Sequence, residues 1–97
     1  MSFRIIATRW AQETYALLVD QLRQRWGDNF ASKFGAKIEK CLEAILTSPY
    51  IYPVAEENME LRKCLFHKNC SMLYKIDGDV ILIVCFWDNR QDPLFIF

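Results

Sequence analysis

Residues 59–93 read MELRKCLFHKNCSMLYKIDGDVILIVCFWDNRQDP, and this stretch decides the fold. It contains three strands in succession. Asp77-Gly78 separates an alternating run that ends at Ile76 from a β-branched run that begins at Val80. Glycine tolerates the positive φ that a type I′ turn demands, so an Asp-Gly pair between strand-formers predicts a tight hairpin. In the first strand Leu61, Lys63 and Leu65 alternate with Arg62, Cys64 and Phe66. In the second, Cys70, Met72, Tyr74 and Ile76 share one face, and Ser71, Leu73 and Lys75 the other. Val80 to Trp87 is apolar on both faces, which places it as the most enclosed strand of a sheet.

Upstream of this stretch lie the elements that cover it. Phe3 to Ala7 is a short strand candidate, expected to pair at a sheet edge in either orientation. Thr8 follows as an N-cap, because its hydroxyl can accept from an otherwise orphaned first-turn amide. Ala11, Tyr15, Leu18, Leu22 and Trp26 fall at helical spacing, with Trp10 and Leu17 widening that face. Gly27 ends this helix, and Asp28 or Asn29 is expected to cap the next. Phe30, Phe34, Ile38, Cys41, Leu42 and Ile45 form the stripe of the second helix, which Ser48-Pro49 stops. So short a link folds the two helices into an antiparallel hairpin. Tyr50 to Val54 is too apolar for a free linker and should lie across the end of the core. The predicted architecture is α+β, β-α-α-β-β-β, with a helical hairpin on one face of a twisted, mainly antiparallel sheet whose other face stays open.

Ninety-seven residues form a single domain, residues 1–97, and 53% hydrophobic residues supply its core. Twelve basic and twelve acidic residues cancel, so no global field draws the chain to nucleic acid or anionic lipid. Cys41, Cys64, Cys70 and Cys85 form no close pairs, and only His67 could add a nitrogen ligand, so neither metal nor other cofactor is expected. Absence of a signal peptide or of a bilayer-length apolar run predicts a cytoplasmic, membrane-free protein with reduced, buried thiols. Cys64 and Cys70 could nevertheless be neighbours across the connection between their strands.

Arg62, Lys63, Lys68, Lys75 and Arg90 fall near the open face, with His67 in the turn. Cations on one concave surface suit a phosphate backbone; the alternative is solvated charges partnered by Asp77, Asp79, Asp88 and Asp92. Histidine as a residue type titrates near neutrality, so His67 is a candidate acid or base, or merely an exposed turn residue. The last strand ends abruptly in Trp87-Asp88-Asn89-Arg90-Gln91-Asp92-Pro93, which reads as side chains presented by a scaffold or as a strand stop. Leu94-Phe95-Ile96-Phe97 is an apolar tail that either docks on its own core or offers an edge to a partner.

The ordered set Ser48-Pro49, Tyr52-Pro53, Glu60-Leu61-Arg62-Lys63, Met72-Leu73-Tyr74-Lys75-Ile76 and Phe86 to Pro93 resembles the RelE/ParE superfamily of type II toxin–antitoxin toxins over nearly the whole chain. The resemblance implies a growth-inhibiting, plasmid-stabilising type of toxin neutralised by a cognate antitoxin, as a homodimer or a toxin–antitoxin heterotetramer. RelE-like members cleave messenger RNA on the ribosome; ParE-like members poison DNA gyrase. Arg62 and Arg90 carry over. No Tyr or His follows Arg90, and Glu56, Glu57 and Glu60 replace the lysine-rich approach to the second strand. In-line cleavage needs charge stabilisation and a proton acceptor, and only His67 or a lysine could supply the latter. The ParE-like side is therefore favoured, with Arg62, Lys63, Lys68, Asn89 and Arg90 as target-binding residues. The alternatives are a ribosome-dependent endoribonuclease using Arg62, Arg90 and His67, or an inactive relic acting as a binding module.

Overall fold

A computed structural model describes residues 2–56, 58–68 and 70–88. Its elements are β1 (Arg4–Ala7), α1 (Arg9–Trp26), α2 (Asp28–Thr47), β2 (Arg62–His67), β3 (Cys70–Asp77) and β4 (Val80–Asp88). The four strands form one sheet in the order β1-β4-β3-β2. β4 is therefore interior, as its two-faced apolarity demands. The edge strand β1 runs parallel to β4, and the other pairings are antiparallel.

The helix start follows from one hydroxyl. Thr8 Oγ1 accepts from Ala11 N at 2.9 Å and donates to Val84 O at 2.7 Å. That second bond matters because β4 bulges: Leu73 pairs with Cys85 while Tyr74 pairs with Ile83, so Val84 is an extra residue. A bulge leaves backbone groups outside the ladder, and α1 satisfies them. Thr8 takes the Val84 carbonyl, and Thr14 Oγ1 accepts from Phe86 N at 3.0 Å. The bulge also changes the phase of the strand. Ile81 and Ile83 face the helices, Val84 and Cys85 face away, and Phe86 returns to the helix side against Tyr15 and Phe66.

Gly27 ends α1 with a φ of 89° that favours glycine, and its amide donates to Arg23 O. Gly27 also stands at the N-cap of α2. Asp28 is instead the first helical residue and makes no capping bond, so the expected Asp28 or Asn29 cap is corrected. The β3–β4 turn differs as well. Asp77 pairs with Val80, so Gly78-Asp79 is the two-residue loop, and only Gly78 has a positive φ. That is the type II′ pattern, glycine first, rather than I′.

Both helices lie on one side of the sheet, α1 over β4 and β1, α2 over β2. Beneath them, Ala11, Leu18, Phe34, Ile38, Cys41 and Ile45 meet Cys64, Phe66, Met72, Tyr74, Ile81 and Ile83. Leu17 and Trp26 do not join this core as the spacing suggested, being 63% and 61% exposed, and Tyr15 reaches it only through Phe86. The opposite face is not wholly open either. Ala55, Leu61, Leu73, Val84 and Cys85 form a second buried cluster, with Trp10 and Trp87 packed against it. The expectation of a bare far face holds toward the two edges, at β2, where Leu65 is 59% exposed, and at β1, where Ile6 is exposed.

Candidate functional site

β2 is the sheet edge opposite β1, and a strap of residues 49–55 runs beside its beginning. Ala55 N donates to Leu61 O at 2.8 Å and Lys63 N to Pro53 O at 3.0 Å, with an antiparallel bridge between Val54 and Arg62. Two side chains tie the strap down. Arg62 Nη1 donates to Tyr52 O at 2.7 Å and Tyr50 O at 3.4 Å, and its guanidinium lies 4.8 Å from the centre of the Tyr50 ring. Tyr74, fully buried, donates its hydroxyl to Pro49 O at 2.7 Å. A cation over an aromatic face that also bonds carbonyls is held firmly.

Strand alternation then separates the predicted cations. Arg62 shares the parity of Cys64, on the helix side, whereas Lys63 and Leu65 project to the far side. Lys63, Leu65 and Lys68 line a groove with Tyr52, Pro53, Val54 and Glu56. The groove thus brings Lys63 and Lys68 together, beside one carboxylate, and leaves Arg62 behind its wall. Lys75 is exposed further along β3. His67 is not in a turn: it ends β2, half-buried, with its ring 5.9 Å from Phe30 and 5.8 Å from Phe34. Asn89, Arg90 and the apolar tail Leu94 to Phe97 lie outside the described residues.

Titratable groups near the strap move away from neutrality. Burial, with hydrogen bonds to Cys64 and Cys41, raises the Tyr52 phenol. Burial likewise pushes the Cys64 thiol up to about 12, and raises Tyr74 despite the opposing Arg62 charge. General acid–base catalysis works best with groups that titrate near the operating pH, and these shifts run the other way. Cys64 does not neighbour Cys70 across the sheet; it pairs with Met72, and its sulfur lies on Cys41 of α2 instead. Among the described residues no three His, Cys, Asp or Glu side chains gather into a metal-holding group, and no helix is long and apolar enough to cross a membrane.

A second surface escaped the sequence reading. Tyr15, Val19 and Arg23 of α1 face Ala31, Ser32 and Gly35 of α2 across an outward groove, with the Arg23–Asp28 ion pair at 3.0 Å beside it. Leu17 borders another, with Thr14, Leu18 and Gln21, against Phe86 and Trp87. One signal pointed there: Trp10, Tyr15, Leu17, Leu18, Val19, Leu22 and Trp26 span more of α1 than one sheet contact can bury.

The profile described as the ParE toxin of the type II toxin–antitoxin system parDE matches residues 5–93. No curated protein sequence matches the chain at a significant level. Among solved structures, the chromosomal ParDE toxin–antitoxin system from P. aeruginosa superposes with a TM-score of 0.76 at 16% identity, covering 90% of this chain and 96% of that one. The E. coli DinJ–YafQ toxin–antitoxin complex gives 0.64 at 10% identity, covering 93% and 96%. The YoeB/ParE toxin from Agrobacterium tumefaciens gives 0.64 at 11% identity, covering 89% and 98%.

Proposed function

The chain belongs to the ParE toxin family of type II toxin–antitoxin systems, and we propose that it poisons DNA gyrase by binding, and that a cognate antitoxin holds it inactive. The observation that carries this reading is the disposal of the candidate catalytic groups. Arg62 is engaged with the strap carbonyls, and His67 lies against two phenylalanine rings, so the two do not meet Lys63 and Lys68 in one cleft. Cleavage of RNA needs charge stabilisation and proton transfer at the same phosphate; a binding surface needs only complementary shape and charge.

On this reading Lys63 and Lys68 contact the target, Arg62 is a positioning residue that holds the strap, and Asn89 and Arg90 extend the contact. The exposed Leu17 and the groove it borders beside Phe86 and Trp87 suit the apolar side of a partner segment, here the antitoxin. The whole chain, residues 1–97, acts as one domain in the cytoplasm.

The test is a supercoiling assay with purified gyrase and toxin freed from antitoxin. Inhibition that weakens with Lys63→Glu and Lys68→Glu supports the reading. Unimpaired supercoiling, together with primer-extension stops on translated messages, would transfer the protein to the ribosome-dependent ribonucleases.

A further inference from the structure

We propose that Cys41 and Cys64 form a buried oxidation site, at which a peroxide-class oxidant makes a disulfide that fastens α2 to β2. Both residues are free thiols here, with their sulfurs 2.6 Å apart. A disulfide places its sulfurs about 2.05 Å apart, and two sulfurs already in contact across facing elements can reach that distance by side-chain movement. The approach is set by the fold, since Cys41 lies on the core stripe of α2 and Cys64 on the helix side of β2. The other two thiols are placed differently. Cys85 belongs to the cluster on the opposite face of the sheet, and Cys70 is in register with His67 rather than with Cys64.

One side chain stands beside the pair. The Tyr52 hydroxyl lies 3.8 Å from Cys41 Sγ, and Tyr52 is half-buried at the strap beside the β2 groove. The dithiol therefore sits one layer below the surface, under a segment held by Arg62. The Tyr52 hydroxyl and the Cys64 thiol both approach Cys41 Sγ, and we take Cys41 as the sulfur that attacks first. Its thiolate attacks one peroxide oxygen, the O–O bond breaks, and the departing hydroxide takes up the thiol proton as water. Cys41 is then a sulfenic acid. The Cys64 sulfur displaces its oxygen, forming the S–S bond and releasing a second water with the Cys64 proton. The two sulfurs lose two electrons, and the peroxide gains them.

The cross-link encloses residues 42–63, which include the strap and one wall of the groove. Closing a loop of that length narrows the unfolded ensemble and stabilises the fold. This inference concerns the scaffold, so it stands or falls apart from the gyrase reading.

Purified full-length protein is treated with hydrogen peroxide, unfolded in an alkylating reagent, digested and mapped by mass spectrometry. We expect alkylated cysteines to fall from four to two, with a Cys41–Cys64 linked peptide that dithiothreitol removes. The melting temperature should rise by roughly 10 °C on oxidation and return on reduction, with no rise in Cys64→Ala. Wild-type mapping decides the matter even if that variant folds poorly. Four alkylated cysteines after peroxide has oxidised a reference thiol would overturn the proposal. So would a bond to Cys70 or Cys85, or overoxidation of Cys41 without a bond.

Discussion

On the helix side of the sheet, Cys64, Phe66, Met72, Tyr74, Ile81 and Ile83 vanish under two amphipathic helices. On the far side, Leu73, Val84 and Cys85 are covered by Trp10, Ala55, Leu61 and Trp87, contributed by four separate places in the chain. The first cover is a pair of continuous elements whose apolar faces match the sheet. The second is a patch of single side chains, and it stops before β2. Where it stops, Leu65 is exposed and Lys63 and Lys68 line a groove. The helices close one face of the sheet, whereas the other is closed only in part, and on the proposed reading its open part at β2 is where the target docks.

The largest expected effect tests the two covers directly. Phe34→Ala, which removes a ring 4.9 Å from Phe66, should cost about 3–5 kcal/mol in denaturant melts. Leu73→Ala on the far face should cost about 2–5 kcal/mol; a loss under about 0.5 kcal/mol would mean the second cluster is not packed. Leu42→Ala should fall below Phe34→Ala, because Leu42 only flanks the core.

Arg62→Ala comes next, at about 1–3 kcal/mol, since it strips the strap carbonyls of a charged donor. Arg62→Lys should recover part of that loss. If Arg62→Ala leaves stability untouched but abolishes toxicity, the arginine works on the target rather than on the strap.

A pH series compares the faces through one thiol from each. Burial moves Cys64 and Cys85 from 9.0 to about 12. A thiol whose pKa is raised by folding contributes stability that is complete below pH 9 and is lost as pH climbs toward 12. Denaturation midpoints should therefore fall from pH 9 upward, and less steeply in Cys85→Ala. A flat profile to pH 11 would show that neither thiol is shielded as described.

Leu65→Ala is the smallest change, within about 0.5 kcal/mol, because nothing of the fold rests on it. Its effect should show instead in affinity for gyrase, the target proposed for the groove, measured by calorimetry against the wild type.

Local chemistry was readable from the residues alone. Thr8 caps because its hydroxyl reaches an amide three residues on, Gly27 ends a helix because it tolerates positive φ, and the α2 stripe and β3 alternation follow the periods of their own elements. Those interactions span a few residues, so their order along the chain is sufficient information. Other features depend on residues far apart in the chain. The Val84 bulge depends on Thr8 and Thr14 reaching β4. The tethering of Arg62 depends on where the Tyr50 and Tyr52 carbonyls of the strap come to rest. The pairing of Cys41 with Cys64, and the crossing of Trp10 to the far face, likewise join distant segments. Packing chose among these contacts once the sheet had formed, because burial rewards whichever side chains arrive together and no local period records which ones will.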